Sequence, residues 1–388
     1  MSDRDSRRSA QRSTAGARSV GPRCRLRSEA GFSLVEMMIS TVILLSVLGT
    51  IFMLVDPGQS MSRAQPEVSD MQQRMRVASD MLQKDLIMAG AGTYSGSIAG
   101  TLANYFAPIL PYRNGATMSD PPLSYFQDRI TITYVPNTAS QTNVRDPMPQ
   151  PSSEIKVDAQ PGCPAGDALC GFKEGMRVII FDDTGAWDIF TITEVQTDGL
   201  HLQHRPPNPD FSKAYTPTEH ARIAQVDTHV YYLDQAARQL HHYDGWMNDL
   251  PLIDNAVGLE LRYFGDPNPP LSPRPPLGTP NCIFDAGGNP TLPVLPSNGS
   301  SLIELTQAML TDGPVCGAGL NQFDADLFRV RKIAVRVRVQ AGLEDLRGTN
   351  PEGQVLFLNP GRSSSSYRYV PDYLMAFEVA PRNMNLTR

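Results

Sequence analysis

Between Phe32 and Val55 the chain runs for 24 residues with one charged side chain, Glu36, and no proline. As a helix this run extends about 36 Å, longer than the ~30 Å hydrocarbon core of a bilayer, so it can span with some tilt. Glu36 sits near its start. A carboxylate at that depth is costly in lipid and either finds a cationic partner or turns to the interface. Everything downstream must therefore fold as a head attached to a membrane-length helix.

Residues 1–31 precede the run and are not read as fold. They carry Arg4, Arg7, Arg8, Arg12, Arg18, Arg23, Arg25 and Arg27 against Asp3, Asp5 and Glu29, a net charge of +5. Positive charge before a span holds the N-terminus in the cytoplasm and sends the head outward. A basic arm can also bind nucleic acid, but the adjacent span makes orientation the better account. The stretch Gly31-Phe32-Ser33-Leu34-Val35-Glu36 resembles the type IV prepilin signal, in which a leader ends in Gly and the mature chain begins with Phe. The resemblance implies cleavage between Gly31 and Phe32 by a prepilin peptidase, with methylation of the new Phe32 amine by the same enzyme. It also implies that Glu36 pairs with the amine of a neighbouring subunit during assembly, which lowers the desolvation cost of both charges.

Without the leader, 26 basic residues face 37 acidic ones, a net charge of −11. Such a head is not built to grip DNA or anionic lipid through its net field, and no nucleic-acid partner is expected. The 33 prolines and 30 glycines point to a loop-rich, β-dominated head. Cys24 leaves with the leader, and Cys163, Cys170, Cys282 and Cys316 remain, an even number for an oxidising compartment. Four cysteines allow three connectivities. Cys163–Cys170 with Cys282–Cys316 is favoured, the first closing a tight loop and the second stapling a Pro/Gly-rich excursion. Zinc is the competing reading, but no CxxC spacing occurs.

The order along the chain is a transmembrane helix at 32–55, an amphipathic continuation at 56–92 and a β-rich head at 93–388. A kink or break is predicted at Asp56-Pro57-Gly58. Val68, Met71, Met75, Ala78, Leu82, Leu86 and Ala89 then recur at steps of three or four. They form a stripe that packs the helix on the head's own sheet or meets a partner, with Asp70, Arg74, Asp80, Lys84 and Asp85 off it. Gly90 and Gly92 supply C-terminal caps. Alternation predicts strands at 128–135, 228–233, 239–243, 257–264, 330–339 and 374–379, and a meander over 176–181, 187–195 and 200–202. Residues 265–300 read as a long loop, 302–310 as a short helix, and Ser363 to Ser366 as a turn. In 330–339 the apolar Val330, Ile333, Val335, Val337 and Val339 oppose the basic Arg331, Arg336 and Arg338, a face that is solvated or meets an acidic neighbour.

A closer resemblance starts at Gln73-Arg74-Met75-Arg76-Val77-Ala78 and continues through Asp80, Leu82, Asp85, Leu86, Ala89 and Gly90. Together with Gly175 to Ile180, Val230 to Leu233 and Val257 to Tyr263, it is similar to PilW-type minor pilins. The ending Phe377 to Asn383 also suits the J-type minor pseudopilin of type II secretion. The resemblance implies an α+β, type IV pilin-like fold: a long N-terminal helix, half transmembrane and half amphipathic, packed on an antiparallel β-rich head. It implies a non-enzymatic minor pilin that primes or tips a type IV pilus through helix bundling and head–head contacts. The alternatives are a type II pseudopilin and a membrane-tethered adhesin or ligand-binding protein. Implied partners are the prepilin peptidase, other major and minor pilins, the inner membrane and the pilus assembly platform. The implied location is the bacterial inner membrane with a periplasmic head, then the pilus tip. Segments 93–125 and 265–300 depart from the resemblance and inherit nothing. His201 with His204, and His241 with His242, point to different strand faces and read as exposed histidines. Asp182-Asp183 and Asp324-Ala325-Asp326 read as turn carboxylates, since neither has the spaced oxygen series of a calcium loop. No catalytic residue, metal or cofactor is expected.

Overall fold

The computed structural model describes residues 31–92, 101–136, 140–149, 154–160, 162–204, 211–347 and 370–385, apart from the side chains of 56–61 and 345. Residues 1–30 of the leader, Cys24 among them, and the Ser363–Ser366 turn lie outside the described residues. The chain divides into two compact units, residues 1–56 and 57–388. Helix α1, Leu34–Met88, is continuous, so the break expected at Asp56-Pro57-Gly58 does not occur. Proline forfeits one i→i−4 bond, and the turns on either side carry the ladder past it.

Within the first unit, Leu34–Val55 is long and apolar enough to cross a membrane, and its side chains are exposed. Three of its hydroxyls are satisfied within the helix. Thr41, Ser46 and Thr50 donate to carbonyls three or four residues back, those of Met37 and Met38, Val42 and Val47. Such internal pairing is what a hydrocarbon environment demands.

In the second unit the helix buries Met71, Met75, Ala78, Leu82, Leu86 and Ala89. Met71 joins Ala341, Leu346 and Val370, and the others lie against a five-stranded antiparallel sheet of β1 (Ile109–Leu110), β2 (Arg129–Tyr134), β3 (Asp227–Asp234), β4 (Gln239–Tyr243) and β5 (Asp249–Asp254), ordered as numbered. Alternation decides the faces. Ile130, Ile132, Tyr231, Leu233 and Leu240 join the helix in the main core, whereas Val230, Tyr232 and Tyr243 form a small cluster behind it. β5 contains Pro251 and lies at the sheet edge, where a missing N–H costs no ladder bond. The helix ends at Gly90, whose left-handed φ of 68° turns the chain. Gly92 serves close approach rather than capping, since a Cβ there would lie 2.4 Å from Thr101 Cα.

A second sheet continues the core with β6 (Ala256–Gly265), β7 (Ile303–Leu305), β8 (Val330–Val339) and β9 (Tyr373–Val379), in the order β7-β6-β8-β9. β7 and a 3₁₀ turn at Ala308–Leu310 replace the helix expected over 302–310, because Ile303 to Leu305 pairs with the end of β6. A register shift puts Arg331 out of step, so that Val330 and Ile333 both face inward despite their odd spacing. The basic face of β8 is answered within the head. Lys332 meets Glu378 at 2.9 Å, Arg336 meets Glu260 at 3.4 Å, and Arg338 lies 3.8 Å from Asp372. Cross-strand acids thus neutralise the face, which favours solvated surface over a docking site for an acidic head.

The expected meander is the larger departure. Residues 135–226 form an excursion between the paired strands β2 and β3 and carry their own core of Val144, Ile155, Val178, Ile180, Phe190, Leu202 and Tyr215. Arg177–Phe181 and Trp187–Thr191 belong to a four-stranded sheet with Gln141–Asn143 and Arg222–Gln225. Glu194–Gln196 and His201–Gln203 belong to a different, three-stranded sheet with Glu154–Lys156. The run Val178-Ile179-Ile180-Phe181 is buried on both faces: Val178 and Ile180 enter the local core, while Ile179 and Phe181 enter the main one.

Candidate functional site

The N-terminal segment is built around a reciprocal cap. Ser33 precedes the first helical residue, and its hydroxyl accepts from Val35 N at 3.3 Å. Glu36, three residues on, returns its carboxylate to Ser33 N at 3.0 Å. This is the Ser-x-x-Glu capping box, a signal that sequence reasoning passed over while assigning Glu36 to assembly. Both Phe32 and Glu36 are exposed, and a Cβ at Gly31 would meet nothing within 4 Å. The segment therefore offers a small residue, an open backbone and a carboxylate one turn into a membrane-length helix.

In the head, Cys163 is joined to Cys170 and Cys282 to Cys316, with Cα separations of 5.6 and 5.1 Å. The second bridge ties the 265–300 segment to Val315–Cys316, and the buried Ile283, Phe284 and Leu292 anchor that segment in the main core. In the chain-entropy account, opening the longer loop costs about 4 kcal/mol and the shorter about 2.5 kcal/mol. Non-reducing peptide mapping should recover these two pairs, and Cys282→Ser with Cys316→Ser should lower the unfolding temperature more than Cys163→Ser with Cys170→Ser. A Cys163–Cys282 peptide, or free thiols in exported protein, would overturn the pairing.

Several polar residues expected at the surface are buried. Asp182 is fully buried; it accepts from Thr184 N and from Lys213 Nζ at 2.8 Å, and burial raises its pKa against the pull of Lys213. Asp183 is held by Arg222 at 3.0 Å and His220 at 2.6 Å. Lys213 and Arg222 thus neutralise the two carboxylates from within the chain. Asp324 caps the turn at Asp326 N, and Asp326 pairs with Arg329. His204 is not an exposed strand histidine, as it packs between Phe190 and Phe211 with ring centroids 5.4 and 4.6 Å away. His201 meets Glu154 at 2.7 Å and His241 meets Asp249 at 3.1 Å.

Asp85 is the most consequential correction. Read as lying off the helix stripe, it is only 4% exposed. Its carboxylate accepts from Tyr231 Oη at 2.5 Å and from Tyr134 Oη at 3.3 Å, and His229 Nδ1 lies 3.3 Å away. His229 Nδ1 is also 2.8 Å from His242 Nε2, and His229 Nε2 is 3.0 Å from Tyr134 Oη. Tyr134, His229, Tyr231 and His242 come from β2, β3 and β4 and converge beneath one helical carboxylate. Burial, and then the neighbouring His229, lower the pKa of His242. The adjacent pair His241 and His242 does diverge, but His229 supplies the partner from the next strand, a diagonal relation that linear spacing does not display.

A cavity of about 580 Å³ in the head is lined by both tryptophans, Trp187 and Trp246, together with Arg177, Asp188 and Phe211. Arg177 donates to the carbonyls of Asp244 at 2.7 Å and Gly245 at 3.4 Å. Asp188 is already engaged by Ser212, Tyr215 and Asn321. Arg177 and Asp188 are thus tied to neighbouring loops, while Trp187 Nε1 and Thr228 Oγ1 on the cavity wall are buried without a hydrogen-bond partner.

A family model described as the prokaryotic N-terminal methylation motif matches residues 26–52. No curated protein and no solved structure gives a match. The match covers Gly31, Phe32 and Glu36 and most of the membrane-length helix, and an antiparallel β-rich region follows. The chain thus carries a prokaryotic N-terminal methylation motif, as type IV pilin-like prepilins do, at the head of a helix long and apolar enough to cross a membrane.

Proposed function

We propose that this chain is a minor pilin of the PilW type, cleaved between Gly31 and Phe32, methylated on Phe32, and assembled at the priming or tip end of a type IV pilus. The observation that carries the reading is the methylation motif over 26–52 on a helix whose lower half packs a β head. The assembly mechanism is bundling of the anchor helices, with Glu36 facing the Phe32 amine of a neighbour. Residues 1–31 act as the cytoplasmic leader, and the head is delivered to the periplasm and then to the pilus tip. Other pilins and the assembly platform are its partners.

The capping box gives this mechanism a sharp test. Gln can replace Glu in the box, because an amide oxygen also accepts from Ser33 N, but it carries no charge. Glu36→Gln and Glu36→Ala should both be cleaved and membrane-bound. Both should also enter filaments about tenfold less, the effect of losing ~1.4 kcal/mol of pairing. The readout is the ratio of this subunit to major pilin in sheared filaments. Full recovery by Gln would assign Glu36 to helix capping alone, and normal incorporation of both variants would sink the pairing mechanism.

The cavity bounded by Trp187 and Trp246 favours a second reading, a ligand-binding head on a pilin-type anchor. Co-purification from detergent-extracted membranes separates the readings. Pilin-like subunits should accompany a minor pilin, type II secretion pseudopilins a pseudopilin, and neither a tethered binding protein.

A further inference from the structure

We propose that Asp85, His229 and His242 form a binding site for a divalent first-row transition ion of the zinc class, which fastens α1 to strands β3 and β4. The three residues lie far apart in sequence, on one helix and two strands, yet one ligand atom from each falls within 4.8 Å of the others. Four-coordinate ligands about 2.0–2.1 Å from an ion sit ~3.3 Å from one another. Asp85 Oδ2 and His229 Nδ1 are already 3.3 Å apart. His229 Nδ1 and His242 Nε2, at 2.8 Å, must open by about half an ångström to admit the ion.

The surroundings prepare the ligands. A coordinating imidazole needs one nitrogen bare and its other N–H held by an acceptor. His229 Nε2 lies 3.0 Å from Tyr134 Oη, and that hydroxyl lies 3.3 Å from Asp85 Oδ1. If Nε2–H donates to the phenol and the phenol donates to the carboxylate, the tautomer is settled and Nδ1 is left unprotonated, aimed at the ion. Tyr231 Oη donates to Oδ2 of the same carboxylate at 2.5 Å and orients it. On binding, His242 moves its proton from Nε2 to Nδ1, so no net proton is lost, and water takes the fourth position.

The donor set selects the class of ion. Two imidazole nitrogens and one carboxylate suit zinc and its neighbours, whereas calcium and magnesium call for oxygen ligands. The acidic group Asp312, Asp324 and Asp326 lacks any nitrogen donor, and Asp326 is already matched by Arg329. The site lies where Leu82 and Leu86 pack on the sheet, so an ion there ties the helix to the head at the edge of the apolar contact. Sequence spacing alone gave no reason to expect it.

The test uses the full chain in detergent, stripped with a chelator, dialysed against micromolar zinc and analysed for bound metal. Wild type should retain about one zinc per chain and gain thermal stability on binding. His229→Gln with His242→Gln, and separately Asp85→Asn, should retain less than about a fifth of that. His241→Gln, on the opposite face of β4, should bind as wild type does. Cobalt loading of the unmodified chain needs no variant: nitrogen and oxygen ligands in a four- or five-coordinate site give intense visible absorption. Absence of bound zinc in wild type, a weak six-coordinate cobalt spectrum, or equal retention by folded His229→Gln/His242→Gln protein would each overturn the proposal. Those outcomes leave the pilin assignment untouched, because it rests on the N-terminal motif.

Discussion

Gly31→Leu should leave the whole leader on the chain. The expected result is a membrane-bound precursor whose N-terminal peptide still contains residues 1–31, against a wild-type protein that begins at methylated Phe32. The prediction rests on the small residue required before a prepilin cleavage site and on the methylation motif that covers Gly31. The structure removes the usual objection to such a variant. A Cβ at Gly31 meets no atom within 4 Å, and helix α1 begins only at Leu34, so the substitution disturbs neither the cap nor the packing. A processing defect is then a peptidase effect rather than a folding effect. Gly31→Ala, small enough for the same site, should still be cut. Intact-mass spectrometry of membrane extracts decides the matter, and a mature terminus anywhere but Phe32 in the wild type would sink the prepilin reading. Because the uncleaved chain has no free Phe32 amine, Gly31→Leu should also be absent from filaments even though Glu36 is intact.

The legible parts of this molecule were those in which one physical period dominates. The stripe from Met71 to Ala89 recurs every three or four residues because one face of α1 is buried, and the structure buries it. Strand β8 was legible to the residue, Val330–Val339, because its outer face is exposed and alternation survives. Where both faces are buried the pattern vanishes. Val178 to Phe181 reads as one apolar run, and nothing in it says that Arg222–Gln225 flanks it on one side while Trp187–Thr191, the next segment along, flanks it on the other. Very short strands such as Ile109–Leu110 carry too few residues to alternate at all. Asp85 was misplaced for a different reason. It lies about 60° around the helix from the stripe's centre, on the flank beside Ala78, and charge alone argued for solvent. Two tyrosines and a histidine, donated by strands more than forty residues away, supply the partners that make its burial tolerable.

Arg329→Met should be the most destabilising single change in the head. Arg329 is fully buried, and three of its contacts hold separate parts of the chain. Its Nε pairs with Asp326, Nη1 donates to the Pro267 carbonyl at 2.9 Å, and Nη2 donates to the Pro293 carbonyl at 2.6 Å. The two carbonyls bracket the Pro/Gly-rich excursion, which no strand ladder holds, so the guanidinium does for 265–300 what hydrogen-bonded neighbours do for a sheet. Removing one member of a buried charge pair costs about 3–5 kcal/mol, because the other is left unpaired. Arg329→Lys should not rescue, since one ammonium cannot reach a carboxylate and two divergent carbonyls as a planar fork does. Adding Asp326→Asn to Arg329→Met should recover part of the loss by removing the stranded carboxylate. The deficit should also depend on pH. Burial pushes the Asp326 carboxyl up to about 6 even beside Arg329, and without the guanidinium its folded-state value moves higher. An acid raised above its unfolded value contributes stability that is present at low pH and lost as pH rises through the folded value. The gap between Arg329→Met and wild type should therefore widen from pH 6 to pH 8. Thermal unfolding at the two pH values measures the gap, and hydrogen exchange over 265–300 should show that segment opening first. A loss below about 1 kcal/mol, or a gap that narrows at higher pH, would mean that Cys282–Cys316 and the buried Ile283 and Phe284 hold the excursion without the arginine.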